Sequence, residues 1–219
     1  MAVLLDALGT LVELQPPAPR LLRRLAEEGF EVTEDRAAAG FGAEIAYYLA
    51  HHLEGSDPES LSDLRDRCAT AMMDALELPG LDHATARRAM LGALEFEAYP
   101  DAAPALRGLR EAGHVLVIVS NWDCSLPDWL GHTGLLELVD RVVTSADVGA
   151  AKPDPAMFER ALEVAGSSAE DSVHVGDSLD NDVRGAGAAG IRAVLVQRDG
   201  EPPAGVETIR ALTELPSLL

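Results

Sequence analysis

Lysine is almost absent from this chain. Of its 17 basic residues, Lys152 is the one lysine and all the others are arginine. A chain that otherwise uses arginine has a reason to keep a single compact ammonium there, such as a site too tight for a guanidinium. Cysteine is nearly absent too. Cys68 and Cys124 form no CxxC pair, which argues against a structural zinc site and for free thiols in a cytoplasmic protein. No apolar run approaches the roughly 20 residues of a membrane span. The opening Met-Ala-Val-Leu-Leu-Asp has no basic lead-in, so it reads as a first strand and not as a secretion signal. Positive charge is scarce, and the net charge of −20 disfavours nucleic acid and anionic membranes as partners. The same field opposes an anionic substrate, so any phosphate site must carry its own local positive charge.

What is present is an alternation of apolar strands and helices. Strands are expected at Val3–Leu5, His114–Val119, Arg141–Thr144, Ser172–Val175 and Ile191–Val196. Helices are expected at Ala102–Ala112, Leu126–His132, Pro155–Ala165 and Asn181–Ala189. Strands apolar on both faces and separated by helices imply an α/β fold, a doubly wound parallel sheet covered on both sides. Residues 15–97 break the rhythm. They read as helices at Ala18–Glu28, Thr33–His52, Pro58–Leu78 and His83–Phe96, with no strand among them. The expected organisation is a core of residues 1–14 and 98–219 with an inserted all-α cap at 15–97. The sequence leaves monomer and homodimer both open.

In an open parallel sheet, ligands bind at the carboxyl ends of the strands, near the point where the winding reverses. Asp6-Ala-Leu-Gly-Thr10 follows the first strand and Ser120-Asn121 the second. Lys152-Pro-Asp-Pro precedes a later helix, and Gly176-Asp-Ser-Leu-Asp-Asn-Asp182 follows the fourth strand. Each has a plain reading as a turn or a helix cap, with Asp154 or Asp180 as the cap. Together, in this order and at matching strand ends, they point to one site.

The set resembles the four motifs of the haloacid dehalogenase (HAD) superfamily, in the subfamily with a helical cap inserted after the first motif. That resemblance implies a Rossmann-like core and a hydrolase acting on a small anionic, phosphorylated molecule with Mg²⁺ as cofactor. It implies Asp6 as covalent nucleophile, Ser120 and the Asn121 amide holding the transferring group, and Lys152 steadying the charge. Asp177 would bind the metal with Asp6, Asp182 would support the metal shell, and the Leu8 carbonyl would be a third protein ligand. Thr10 joins the substrate-binding set. Mg²⁺ prefers oxygen ligands and one or two carboxylates, which fits this donor set.

One position departs from the pattern. Phosphatases of the superfamily carry a second aspartate two residues after the nucleophile, which protonates the leaving oxygen; here it is Leu8. General acid–base help is typically worth about 10²–10⁴-fold, so alkyl phosphates should be poor substrates and good leaving groups better ones. Asp123 and His51 are candidates to lend the missing proton, His51 sharing a helix face with Glu44 and Tyr47; simple solvation of that polar face is the competing reading. Phe41, Ile45, Leu49 and His52 form the apolar face. Haloacid dehalogenases also lack the second aspartate, but they work without metal and resemble Ser-Ser-Asn where this chain has Gly176-Asp177-Ser178. They also need a cap arginine, for which Arg36 is available. A cap lysine, required of a phosphonoacetaldehyde hydrolase, is missing. A dehalogenase and a catalytically weak binding protein remain as alternatives. Gly185-Ala-Gly-Ala-Ala-Gly190 matches a dinucleotide fingerprint in letters, but it ends a helix where the fingerprint should open one; it reads as close helix–sheet packing and a turn. His114 and His174 are expected as core or strand-edge histidines.

Overall fold

The computed structural model describes residues 1–219. In chain order, strand β1 (Ala2–Leu5) and strand β2 (Val12–Leu14) are followed by four helices: α1 (Pro17–Glu27), α2 (Glu34–His51), α3 (Pro58–Leu76) and α4 (His83–Ala93). Strand β3 (Phe96–Ala98) comes next, then α5 (Ala102–Glu111), β4 (Val115–Ser120), α6 (Leu126–His132), β5 (Arg141–Thr144), α7 (Ser145–Val148) and α8 (Pro155–Ala165). Then follow β6 (Ser172–Gly176), α9 (Gly185–Ala188), β7 (Arg192–Val196), β8 (Thr208–Ile209) and a 3-10 helix over Leu212–Ser217. It folds as two compact units, one of Met1–Glu13 with Glu97–Leu219, the other of Leu14–Phe96. No helix is long and apolar enough to cross a membrane.

The first unit holds a six-stranded sheet in the order β5-β4-β1-β6-β7-β8. Every pairing is parallel. From β1 the chain moves outward to β4 and β5, then returns to lay β6 on the other side of β1. That reversal is the topological switch point. Leu5 lies level with Ile118 of β4 and Val175 of β6, so the chain leaves these three strands side by side. The sheet is apolar because both faces are covered: Leu4, Val117 and Val119 pack with Met157, Phe158 and Ala161 of α8 and Ala186 of α9. The glycine-rich segment fits here by size. A Cβ on Gly185 would lie 2.9 Å from the Phe158 ring and 3.1 Å from the Pro153 backbone, and Gly190 turns at φ +74°. This is close packing and a turn, as the sequence indicates.

The helical unit also follows its local signals. Asp57 caps α3 by accepting the Glu59 and Ser60 amides, and Thr33 caps α2 by accepting that of Arg36. Leu21, Leu25, Phe41, Leu64, Met72, Leu76 and Met90 are its fully buried large side chains. Gly40 allows α2 to approach Leu76 of α3, where a Cβ would lie 2.7 Å from Leu76 Cγ.

Three local expectations are corrected. The helix expected to run to Phe96 stops at Ala93, and Phe96 opens β3, which pairs with β2 in a two-stranded ribbon. Both strands are three residues long, too short for a period-of-two pattern to register. The helix expected to start at Asn181 is preceded by a π-helical turn over Leu179–Arg184, capped by Ser178 and not by Asp180. On α2 the polar and apolar faces are not as drawn from spacing. Glu44 is buried with Ala37, Gly40 and Phe41, whereas Leu49 is 63% exposed. The packing of α3 against α2 set the buried stripe, and a helical wheel carries no information about the neighbour.

Candidate active site

Asp6 is the first residue beyond β1, and its amide donates to the carbonyl of Val175 at 2.9 Å, extending the sheet by one rung. Its carboxylate is buried and receives three donors. Ser120 Oγ, from the end of β4, donates to Oδ1 at 3.0 Å, Lys152 Nζ donates to the same oxygen at 2.7 Å, and Thr10 Oγ1 lies at a long 3.5 Å from Oδ2. Thr10 is fully buried, so its hydroxyl serves the carboxylate of Asp6.

Lys152 reaches this point from the segment ahead of α8. Its ammonium is almost wholly buried and bridges two acids, Asp6 Oδ1 at 2.7 Å and Asp182 Oδ1 at 2.6 Å. Burial disfavours the ammonium, but the attraction of Asp6 and Asp182 exceeds that cost and raises the Lys152 pKa, so the side chain stays charged. The backbone of Lys152 is gripped by Asn121, whose Oδ1 accepts the Lys152 N–H at 2.7 Å and whose Nδ2 donates to the Lys152 carbonyl at 2.9 Å.

Asp182 stands on the π-turn, where the amides of Asp182 and Val183 both reach the carbonyl of Ser178. Such turns are frequent at functional sites because they re-aim one side chain. Besides Lys152, Asp182 Oδ1 accepts His174 Nε2 at 2.9 Å, and Oδ2 accepts the Ser178 amide at 2.9 Å. Burial pushes its pKa up, but the His174 hydrogen bond and the Lys152 charge outweigh that and hold it well below the ordinary carboxylate range. Gly176 leaves the space for this carboxylate: a Cβ there would lie 2.2 Å from Asp182 Cγ.

Asp177 completes the acidic group. One carboxylate oxygen from each of Asp6, Asp177 and Asp182 lies within 4.8 Å of the other two. Partial burial of its carboxyl, then repulsion by Asp6 and Asp182, push the Asp177 pKa up to about 6, although the residue as a whole is exposed. Burial likewise raises that of Asp6, against the pull of Lys152. Three carboxylates facing one ammonium carry excess negative charge, and a divalent cation with oxygen preference would relieve it. Gly9 lies against this group. It turns at φ +84°, and a Cβ there would come within 2.2 Å of Asp177 Oδ2.

The structure therefore brings together Asp6, Thr10, Ser120, Asn121, Lys152, Asp177 and Asp182. Leu8 sits in the same turn, bridged to Val12, and is 43% exposed. Asp123 is buried and accepts the Ser125 amide at 2.7 Å. His51 belongs to the helical unit, where it stacks on Tyr47 at 4.3 Å and pairs with Glu54 at 2.8 Å. Arg36, the cap arginine considered for a haloacid, donates to the carbonyls of Leu76 and Glu77 at the end of α3. The role of His174 goes beyond what sequence reasoning provides. Its signal was a lone imidazole in an apolar strand, eight residues ahead of an aspartate, and only the π-turn brings the two together.

The sequence model of the haloacid dehalogenase-like hydrolase family matches residues 1–190. The chain belongs to that family of hydrolases. It is 42% identical over 115 residues to the bovine (Bos taurus) haloacid dehalogenase-like hydrolase domain-containing protein 3, covering 52% of this chain and 45% of that protein. The chain thus spans about half the length of the curated relatives it matches. Among solved structures, a HAD phosphatase from Thermococcus onnurineus aligns with TM-score 0.68 and 28% identity over 99% of this chain and 96% of that one. A 2-haloacid dehalogenase from Pseudomonas syringae shares the fold, with TM-score 0.70 and 24% identity over 100% of this chain and 98% of that one. One fold thus carries both chemistries, and the choice between them rests on site residues.

Proposed function

We propose that this hydrolase is a Mg²⁺-dependent phosphohydrolase, with Asp6 as nucleophile, acting on a small phosphorylated molecule that has a good leaving group. The observation that carries this reading is how the three carboxylates divide. Asp182 is fully engaged by Lys152, His174 and the Ser178 amide, whereas Asp177 stands beside Asp6 with its pKa raised. Asp6 and Asp177 are the pair left to hold a cation, with the Leu8 carbonyl as a further ligand. When bound, Mg²⁺ supplies charge neutralisation at the transferring phosphoryl group.

The chain's own residues do the rest. Lys152 and Ser120 orient the Asp6 carboxylate, and the Lys152 ammonium favours its charged form against the effect of burial. A carboxylate oxygen of Asp6 attacks phosphorus, the bond from phosphorus to the leaving oxygen breaks, and the leaving group departs with the electron pair. Water then releases phosphate from the aspartyl phosphate and restores Asp6. Phosphoryl transfer depends mainly on placement and electrostatics, which a buried ammonium held between two carboxylates provides. Leu8 offers no proton, so acyl phosphates, anhydrides and aryl esters fit better than alkyl esters. The engagement of Arg36 with the α3 carbonyls weighs against the haloacid reading.

The test is a panel of aryl, acyl and alkyl phosphates together with 2-chloropropionate, each with Mg²⁺ and with EDTA. The expected result is hydrolysis of aryl and acyl phosphates with Mg²⁺, lost in EDTA and in Asp6→Asn. Halide release in EDTA without phosphate release would overturn it.

A further inference from the structure

We infer that His174 is a positioning residue that sets the lone lysine of the chain on the nucleophile by fixing Asp182. The inference rests on the phosphohydrolase reading for its kinetic consequence, but not for its geometry.

His174 lies in the middle of β6, a central strand, level with Leu4 of β1 and Ala193 of β7. Its side chain is completely buried and its ring meets Phe158 edge-on, centroids 5.1 Å apart and planes at 89°. Valines occupy the positions on either side. Packing alone does not explain an imidazole here. Its Nδ1 is buried with no hydrogen-bond partner, and an orphaned buried nitrogen carries a desolvation cost. An apolar side chain of similar size would avoid that cost.

What the imidazole contributes is one N–H. A carboxylate oxygen that already receives an ammonium only accepts, so the nitrogen facing Asp182 Oδ1 at 2.9 Å, Nε2, carries a proton, while Nδ1 has no partner. Together with the Ser178 amide on Oδ2, this bond fixes the plane of the Asp182 carboxylate. The oxygen that His174 holds is the one that receives Lys152 Nζ at 2.6 Å, and Nζ in turn lies 2.7 Å from Asp6 Oδ1. Without the Nε2–H, one anchor of Asp182 is lost and its Oδ1 can turn away, carrying the ammonium off Asp6. Partners that orient a site residue in this way are typically worth about 10–100-fold in activity.

The single lysine makes the test clean. In protein labelled with ¹⁵N-lysine, the one side-chain ammonium gives one ¹H–¹⁵N resonance, visible only while its protons are held and shielded from exchange. His174→Leu is expected to fold with unchanged or raised Tm yet lose or broaden that resonance. Its kcat on p-nitrophenyl phosphate with Mg²⁺ should fall about 10–100-fold while KM moves less than about threefold. His174→Gln, which places an amide N–H near the former Nε2, is expected to recover the resonance and most of kcat. A folded His174→Leu that keeps the resonance and kcat at wild-type values would overturn the inference. Should that variant not fold, His174→Met, whose unbranched chain adapts to irregular core space, takes its place with the same two outcomes. If the wild type hydrolyses no phosphate, the phosphohydrolase reading fails; the resonance alone then decides the positioning role, its loss in the apolar variant and return in His174→Gln supporting it, its persistence overturning it.

Discussion

The side chain of Asn121 hydrogen-bonds both backbone polar groups of Lys152, accepting its N–H at 2.7 Å and donating to its carbonyl at 2.9 Å. The end of β4 is thereby tied to the segment that delivers the ammonium. Asn121→Ala removes both bonds, and with two backbone groups losing partners the expected loss of stability is about 1–3 kcal/mol. Turnover on an aryl phosphate should fall about 10-fold or more, as for other residues that hold a site residue in place. Urea denaturation read beside kcat checks both. An unchanged midpoint would show the clamp to be energetically idle.

Position 8 offers a gain-of-function test. Leu8 is 43% exposed, so a polar replacement there keeps contact with solvent. Leu8→Asp supplies a carboxyl able to protonate a leaving oxygen and later activate water. Turnover of alkyl phosphates should rise by about 10²-fold or more, and that of aryl phosphates by less, since their leaving groups need the proton less. Comparing both substrate classes in one preparation with Mg²⁺ reads this directly. No gain on either class, in a folded variant that still binds Mg²⁺, would contradict the account of the missing acid.

Gly9 is expected to resist even alanine. At φ +84° an L-residue is strained by roughly 1–2 kcal/mol, and the added Cβ would meet Asp177 Oδ2 at 2.2 Å. The carboxylate is the movable partner, so it should yield by swinging away from Asp6. Gly9→Ala should therefore lower Tm in EDTA modestly and weaken Mg²⁺ affinity about 10-fold or more, read as a smaller rise of Tm with added Mg²⁺.

Glu44 gives a pH signature in the helical unit. Burial pushes its pKa up to about 7, against the opposing hydrogen bond from Cys68. Unfolded, a glutamate titrates near about 4.3, so between that pH and about 7 the folded chain binds the extra proton. Stability contributed by this site is fully present at low pH and is lost as pH rises through about 7. The neutral Glu44→Gln should thus gain on the wild type by about 1–3 kcal/mol between pH 5 and pH 8. Urea denaturation of both proteins at those two pH values checks it. A constant difference would show that Glu44 titrates normally.

Much of the core was legible in the letters. The strands ending at Leu5 and Ser120 were marked by runs of β-branched residues and leucine, which sheet burial on both faces demands, and the shorter strand ending at Thr144 gave a weaker signal. The short ribbon strands at Val12–Leu14 and Phe96–Ala98 were not, because three residues carry no readable period and their pairing is long-range. Glu44 was misplaced for a related reason. Helical spacing shows which residues share a face, and the neighbouring helix decides which face is buried.

The sequence by itself determined the strand order of the chemistry: which residue types follow which strands, the one lysine, and the leucine where an acid would stand. These are properties of single positions and local runs, and they persist in an unfolded chain. Only the tertiary structure decided how the acids share their partners. The π-turn and the absence of a side chain at Gly176 let Asp182 fold back onto His174 and Lys152, which leaves Asp177 beside Asp6. Hydrogen bonds saturate at distances of about 3 Å, so that division depends on where side chains end in space and cannot be read from their spacing along the chain.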